Sequence, residues 1–260
     1  MGCGIVMKRM VLSLLITVAV AYLALCVGVC CYQRSLIYFP TSTSRGKSAG
    51  TMTLAVDGAQ ILVTVVPHEG PNALIYFGGN AEDVSCSSPS LAAAFPEHAI
   101  YLSHYRGYGG SSGKPSEKAL VADGLALFDQ VHNERQNITV VGRSLGSGVA
   151  VQLAALRPVV RVVLVTPFDS LQGIAAREYP YLPIRWLLRD KFESWKYAPR
   201  IVAPTVLVAA EHDEIIPRTS TEALLERFAP GVASFNVVAG ASHNDIAESP
   251  EYIRFLRGER

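Results

Sequence analysis

The chain has 260 residues, 50% of them hydrophobic, and its 23 Lys plus Arg nearly balance 22 Asp plus Glu for a formal net charge of +1. That length supplies one core of ordinary size, and the near-neutral, dispersed charge removes the electrostatic case for nucleic acid as a partner. Of the five cysteines only Cys86 lies beyond the first apolar segment, which excludes a disulfide framework, and Cys30-Cys31 has neither the spacing nor the histidines of a metal site.

From Met10 to Gln33 no residue carries a formal charge. A helix over this stretch is long enough to cross a hydrocarbon layer of ~30 Å, so 10–33 is expected to be a transmembrane anchor that ties the chain to a lipid bilayer. Lys8 and Arg9 precede it and Arg34 follows, a bias that puts residues 1–9 on the cytoplasmic side and the remainder on the opposite, periplasmic or extracytoplasmic, side. A cleaved signal peptide is the rival reading. The uninterrupted length, and the lack of a small-x-small site followed by a polar start, favour retention. Residues 34–50 are expected to link anchor and body. Within them Leu36 to Phe39 suits either the interfacial zone or packing onto the body, and Thr41 to Gly50 reads as a loop.

The body is expected over 51–260. Thr51 to Val56 and Ile61 to Val66 flank Asp57-Gly58, a hairpin signal. The apolar strand Asn72 to Phe77 ends in Gly78-Gly79-Asn80-Ala81-Glu82-Asp83, a bend whose outward amides suit oxyanion stabilisation, with the Asn80 N–H as the candidate donor. A helix around Leu91 to Phe95 and a strand from Ala99 to Leu102 precede the glycine-rich loop Ser103 to Gly113. There His104 could serve as a base on paper, but its place directly after a strand favours support of the loop. Arg106 is expected to bridge local carbonyls or to orient Glu82 or Asp83.

A helix from Lys114 to about Val131 leads to the strand Ile138 to Val141 and then to Gly142-Arg143-Ser144-Leu145-Gly146. This G-x-S-x-G, between a buried strand and a small-residue helix that dies at Pro158, is the pattern of a nucleophile elbow, which exposes the Ser144 hydroxyl at a sharp turn. Val160 to Val165 is the next strand. The alternation of strand and helix predicts a mainly parallel sheet covered on both faces. No phosphate loop or dinucleotide fingerprint is present, so no nucleotide cofactor is expected.

Two later strands, Val202 to Ala210 and Ser234 to Val238, end in Glu211-His212-Asp213 and in Ser242-His243-Asn244-Asp245, on the same sheet edge as Ser144. A serine hydroxyl is a poor nucleophile until an imidazole accepts its proton, and a carboxylate must fix that imidazole's tautomer. His243 is the expected base, because His212 adjoins the acid and should diverge from it. Asp213 is the expected acid, with Glu211, Asp245 and Asp169 as substitutes. Between about 168 and 199 an apolar, proline-broken stretch containing Tyr179, Tyr181, Trp186 and Trp195 is too long for a simple connection and reads as a lid. Glu222 to Phe228 and Glu248 to Leu256 are closing helices.

Taken in order, Gln33 to Pro40, Phe77 to Asp83, Tyr105 to Gly109, Gly142 to Gly148, Glu211 to Asp213 and Ser242 to Asp245 resemble the α/β-hydrolase family. More narrowly, the chain is similar to the membrane-anchored serine hydrolases of the Bem46-like group, to which the mammalian α/β-hydrolase domain 13 and 17 proteins are similar. The resemblance implies an α/β-hydrolase fold with a mostly parallel sheet of about eight strands, helices on both faces and a short lid. It implies Ser144 as nucleophile, Asp213 as acid, His243 as base, and the amides of Leu145 and Asn80 as oxyanion donors, with neither metal nor cofactor. Two positions depart from the family pattern: Gly78 stands where the oxyanion turn usually has histidine, and His104 stands where aspartate usually precedes Tyr-Arg-Gly-Tyr-Gly. The expected activity is hydrolysis of carboxylic esters or thioesters, of a small molecule or an acylated protein. Alternatives are a serine peptidase or amidase of the same fold, and an inactive hydrolase-fold binding module.

Overall fold

The computed structural model describes residues 2–42 and 50–259. Most of the expected loop from Thr41 to Gly50, residues 43–49, lies outside the described residues. The first element is α1 (Gly2–Ile37), which contains the whole uncharged stretch and, among the described residues, is the one helix long and apolar enough to cross a membrane. Most of its surface is bare, but Cys26 and Gln33 are buried and Val29, Cys30 and Ile37 are half-buried, a stripe at helical spacing that rests on the body.

β1 (Gly50–Val56) and β2 (Ala59–Val66) form the expected antiparallel hairpin, with Gly58 at φ +71° in its turn. There follow β3 (Asn72–Phe77), α2 (Ser88–Ala94), β4 (Ala99–Ser103), α3 (Glu117–His132), β5 (Asn137–Arg143), α4 (Leu145–Ala154) and β6 (Arg161–Val165). The chain closes with α5 (Leu171–Glu178), α6 (Ile184–Leu187), β7 (Thr205–His212), α7 (Arg218–Leu225), β8 (Ala233–Ser242) and α8 (Pro250–Arg257). The eight strands make one sheet in the order β1-β2-β4-β3-β5-β6-β7-β8, parallel except where β2 meets its neighbours. β3, β5 and β6 are covered on both faces, which is why they read as unbroken apolar runs. One core layer places Leu127, Phe128 and Val149 of α3 and α4 against one face, and the other packs Leu91, Tyr252 and Leu256 of α2 and α8 against the opposite face. This is the α/β-hydrolase fold.

The two glycines of the elbow are set by close approach. A Cβ on Gly142 would lie 2.4 Å from the Gly146 carbonyl oxygen, and one on Gly146 would meet the Phe77 carbonyl oxygen of β3 at 2.1 Å and that of Gly78 at 2.6 Å. These obstacles are backbone, so no side-chain rotation relieves them.

Arg106 does not orient Glu82 or Asp83. Its guanidinium donates to both carboxylate oxygens of Asp123 on α3, at 2.7 and 2.8 Å, and to the Asp57 carbonyl at 3.0 Å, so it clamps the glycine-rich loop between hairpin and helix. His104 is buried with Nε2 at 2.8 Å from Thr64 Oγ1, the loop-supporting role. Between 168 and 199 lie α5, α6 and the short 3-10 turns Ser194–Lys196 and Ala198–Arg200. Glu117 ties this stretch to α3 by accepting the amides of Lys191 and Phe192 at 2.7 and 3.0 Å.

Gly146→Ala should cost about 3 kcal/mol or more, because α4 must move away from β3 to admit the methyl group. Urea unfolding of the purified variant beside the parent chain measures this, and an unchanged midpoint would contradict the packing.

Candidate active site

Ser144 sits between β5 and α4 with φ 50° and ψ −117°, a strained conformation for a residue with a side chain, and its amide donates to the Val165 carbonyl at 2.8 Å. β5 and the first turn of α4 are thereby folded sharply enough to lift the hydroxyl off the sheet edge. His243 follows β8, and its Nε2 lies 3.0 Å from Ser144 Oγ. On the far side of the ring Nδ1 lies 2.9 and 3.0 Å from the two oxygens of Asp213, which follows β7. Both side chains are almost wholly buried, 6% and 4% exposed, so their attraction is only weakly screened by water. Asp213 Oδ1 also accepts the amides of Ile215 and Ile216 at 3.0 and 2.7 Å, which fixes its rotamer. The three residues named from the sequence are thus in contact, hydroxyl to imidazole to carboxylate, so the imidazole can take the serine proton while the carboxylate stabilises the resulting charge.

The rejected substitutes have other occupations. His212 is exposed at the rim. Glu211 accepts from Gly240 N–H at 2.7 Å and Asp245 from Ser242 N–H at 2.6 Å, both at the surface. Asp169 is bound by the Ser220 hydroxyl at 2.5 Å.

The turn after β3 brings Gly79 and Asn80 to the wall of the same cavity as Ser144 and Leu145. Its carbonyls are held by two tyrosines of the glycine-rich loop: Tyr105 donates to Gly78 O at 2.7 Å and Tyr108 to Asn80 O at 2.6 Å. Burial holds both phenols above their ordinary value, Tyr108 at about 12, so both remain donors. Asn80 is also joined to the end of α1: its side-chain amide donates to Ile37 O at 3.1 Å and its backbone carbonyl accepts the Phe39 amide at 3.0 Å.

Glu82 lies beneath this turn. It accepts from the Gly79 amide at 2.8 Å, the Tyr76 hydroxyl at 2.7 Å and the Ser87 hydroxyl at 2.6 Å, and pairs with Arg143 at 3.3 Å. Burial, and then the Glu82 carboxylate, push the Tyr76 phenol far up, which keeps it a donor. Arg143 in turn donates to the carbonyls of His243 and Asn244 at 3.2 and 3.4 Å. One ion pair therefore connects the turn after β3, the elbow and the histidine loop. Gly78 fits this arrangement: a Cβ there would lie 2.5 Å from Val84 and 3.0 Å from the Glu82 carboxyl group, so the position has no room for the family's imidazole. Sequence reading missed Arg143, because the pattern treats that position as free, and it missed the two tyrosines as carbonyl holders.

The cavity has a volume of about 690 Å³, within the ~300–1,000 Å³ of small-molecule sites. Ser144 and His243 line it together with Leu171, Ile174 and Leu182 of the 168–199 stretch and Val29, Gln33, Leu36 and Ile37 of α1. Among the described residues no group of three or more His, Cys, Asp or Glu side chains could hold a metal ion.

A strained serine, an imidazole and a buried carboxylate in hydrogen-bonded series at the carboxyl edge of this sheet define a serine hydrolase, whose chemistry reaches esters and thioesters. No family model matches the chain. An uncharacterised protein of Mycobacterium tuberculosis is 38% identical over 232 residues, covering 82% of this chain and 81% of the relative. The α/β-hydrolase domain-containing protein 17B of Xenopus tropicalis is 30% identical over 229 residues, covering 84% and 73%. The solved structure of Est1E from Butyrivibrio proteoclasticus shares the fold, with a TM-score of 0.65 at 14% identity over 80% of this chain and 96% of that one. The chain belongs to the α/β-hydrolase family.

Glu82→Gln leaves the half-buried Arg143 without a countercharge. It should lower stability by about 3 kcal/mol and slow acylation of the serine by ~10-fold or more through loss of the turn's alignment. Thermal unfolding together with the rate of labelling by a fluorophosphonate separates the two effects, and an unchanged labelling rate would remove the pair from the positioning of the site.

Proposed function

We propose that this chain is a membrane-anchored carboxylic ester or thioester hydrolase of the Bem46-like group, acting on fatty acyl groups. The contact series Asp213, His243, Ser144 carries the reading. Ser144 Oγ attacks the acyl carbonyl carbon while His243 Nε2 takes its proton, and the amides of Leu145 and Asn80 hold the oxyanion. The imidazolium then protonates the departing alcohol or thiol. Water, deprotonated by His243, attacks the acyl-enzyme, and the acid leaves as Ser144 recovers its proton. The apolar cavity supports an acyl substituent rather than a polar one, and supports an ester or thioester ahead of a peptide.

In this reading 10–33 spans a bilayer, 34–50 joins it to the body, and 51–260 is the hydrolase domain with a lid over 168–199. Lys8 and Arg9 support a cytoplasmic N-terminus with the hydrolase domain across the membrane. The similarity to α/β-hydrolase domain-containing protein 17B supports the narrower grouping.

A fluorophosphonate probe should label the detergent-solubilised chain at Ser144 and leave Ser144→Ala and His243→Ala unlabelled. Folded protein that resists the probe would instead favour an inactive binding module. Across a chain-length series of nitrophenyl esters with matched thioesters and amides, kcat/KM should rise with acyl length and amides should turn over least. Exclusive turnover of amides would make the chain a peptidase or amidase. Carbonate washing should leave the full-length chain in the membrane pellet, whereas a shortened, soluble product would mean that the first helix is a signal peptide.

A further inference from the structure

The lid does not stop at the foot of α1. Gln33 donates to Leu187 O at 3.0 Å and accepts the Arg189 amide at 2.6 Å, and Arg34 pairs with Asp190 at 3.0 Å, so the return limb of the lid lies level with the end of the uncharged stretch. Farther along, the Tyr22 hydroxyl donates to Tyr181 O at 2.8 Å. Tyr22 is about 22 Å along the helix from Ile37 at ~1.5 Å per residue. A span needs about 20 residues. Whether those come from the beginning or the end of Met10 to Gln33, Tyr22 lies at least about seven residues, roughly 10 Å, inside the body-side edge of the hydrocarbon. Tyr181, bonded to it, must share that depth.

The residues of the tip suit such a place. From Tyr179 to Ile184 there is no formal charge. Tyr179, Tyr181 and Trp186 are 56, 87 and 82% exposed, an extravagant display of aromatic surface if it faced water. The two prolines, Pro180 and Pro183, remove backbone donors that hydrocarbon could not satisfy. Arg177 and Arg189 flank the tip and Arg185 stands near its end, all three with long side chains able to reach lipid phosphates. Aromatic rings and arginines beside a spanning helix fit a bilayer leaflet better than a protein partner.

From this juxtaposition we infer that the lid tip, Tyr179 to Leu187, is a second membrane-inserted element, buried in the leaflet nearest the hydrolase domain, and that the active-site cavity takes its acyl chain from that leaflet rather than from water. The cavity wall contributed by Val29 and Gln33 lies within the uncharged stretch, and Tyr179 and Leu182 of the lid close the same cavity. The cavity that holds Ser144 is therefore bounded in part by elements that stand in hydrocarbon. An acyl chain already in the leaflet can slide in along α1 while its ester or thioester, at headgroup level, reaches the serine. This inference rests on the anchored-hydrolase reading given above and adds the route of the substrate.

The chain has two tryptophans, so Trp195→Phe leaves Trp186 as the single reporter of depth. The full chain carrying that change is reconstituted in phosphatidylcholine vesicles with 20% phosphatidylglycerol (roughly the anionic content that binds basic side chains), with bromine on either the upper or the middle acyl carbons. Quenching of Trp186 by brominated lipid, with little quenching by aqueous iodide, is expected. Efficient iodide quenching with no bromine effect, in protein that carbonate does not extract, would overturn lid insertion while leaving the anchor intact. Loss of the protein from the membrane on carbonate washing would instead sink the anchored reading itself. In an independent arm, Tyr181→Asp with Trp186→Glu, neither of which lines the cavity, should lower hydrolysis of a long-chain ester dispersed in vesicles by ~10-fold or more, since each acidic group resists entry into hydrocarbon. Hydrolysis of water-soluble nitrophenyl acetate should be unchanged. An equal fall for both esters would count against entry from the leaflet.

Discussion

The site depends on one buried carboxylate. Glu82 gathers the Gly79 amide, the Tyr76 and Ser87 hydroxyls and the Arg143 guanidinium, and through Arg143 it reaches the backbone of the histidine loop. Withdrawing a charge from water is tolerable only when it is paired, so each of these donors to Glu82 is held to its position by the cost of leaving the carboxylate unsatisfied. The network explains how three loops from three strand ends, free to wander if each stood alone, meet within hydrogen-bonding distance. It also explains the glycine at 78, where a larger side chain would displace the acceptor on which the turn is built.

Around that centre the tyrosines of the glycine-rich loop act from outside. With the carbonyls of Gly78 and Asn80 drawn towards Tyr105 and Tyr108, the peptide planes of the turn are fixed. Arg106, clamped by Asp123, keeps the loop close enough for them to reach. The aspartate missing from position 104 is thus answered from α3, and His104 turns inward to Thr64.

The triad was legible in the sequence because its chemistry dictates residue types and the sheet dictates where they fall: Ser144, Asp213 and His243 each follow an apolar run that could only be a strand. The 168–199 stretch and the long helix α1 were legible as apolar stretches for the same reason. Their mutual contact was not. Apolarity reads alike whether a residue faces lipid or protein, so Cys26 and Val29 gave no sign of touching the body, although Gln33, a polar side chain at the end of an uncharged run, could have done so. The Arg143–Glu82 pair was hidden by separation along the chain, and Arg106, nearer to Glu82 in sequence, was the wrong arginine to choose.

The grip of Asn80 on the end of α1 bears on what loss of that helix would mean. Severing the chain just after the uncharged stretch would leave every member of the triad in place. It would also remove the wall formed by Val29 and Gln33 and free the segment around Ile37 and Phe39 that holds Asn80. Water would enter the opened cavity, and the turn at Gly79 and Asn80 would lose its outer fastening. The apolar helix is thus part of the walls and supports of the site as well as a candidate anchor.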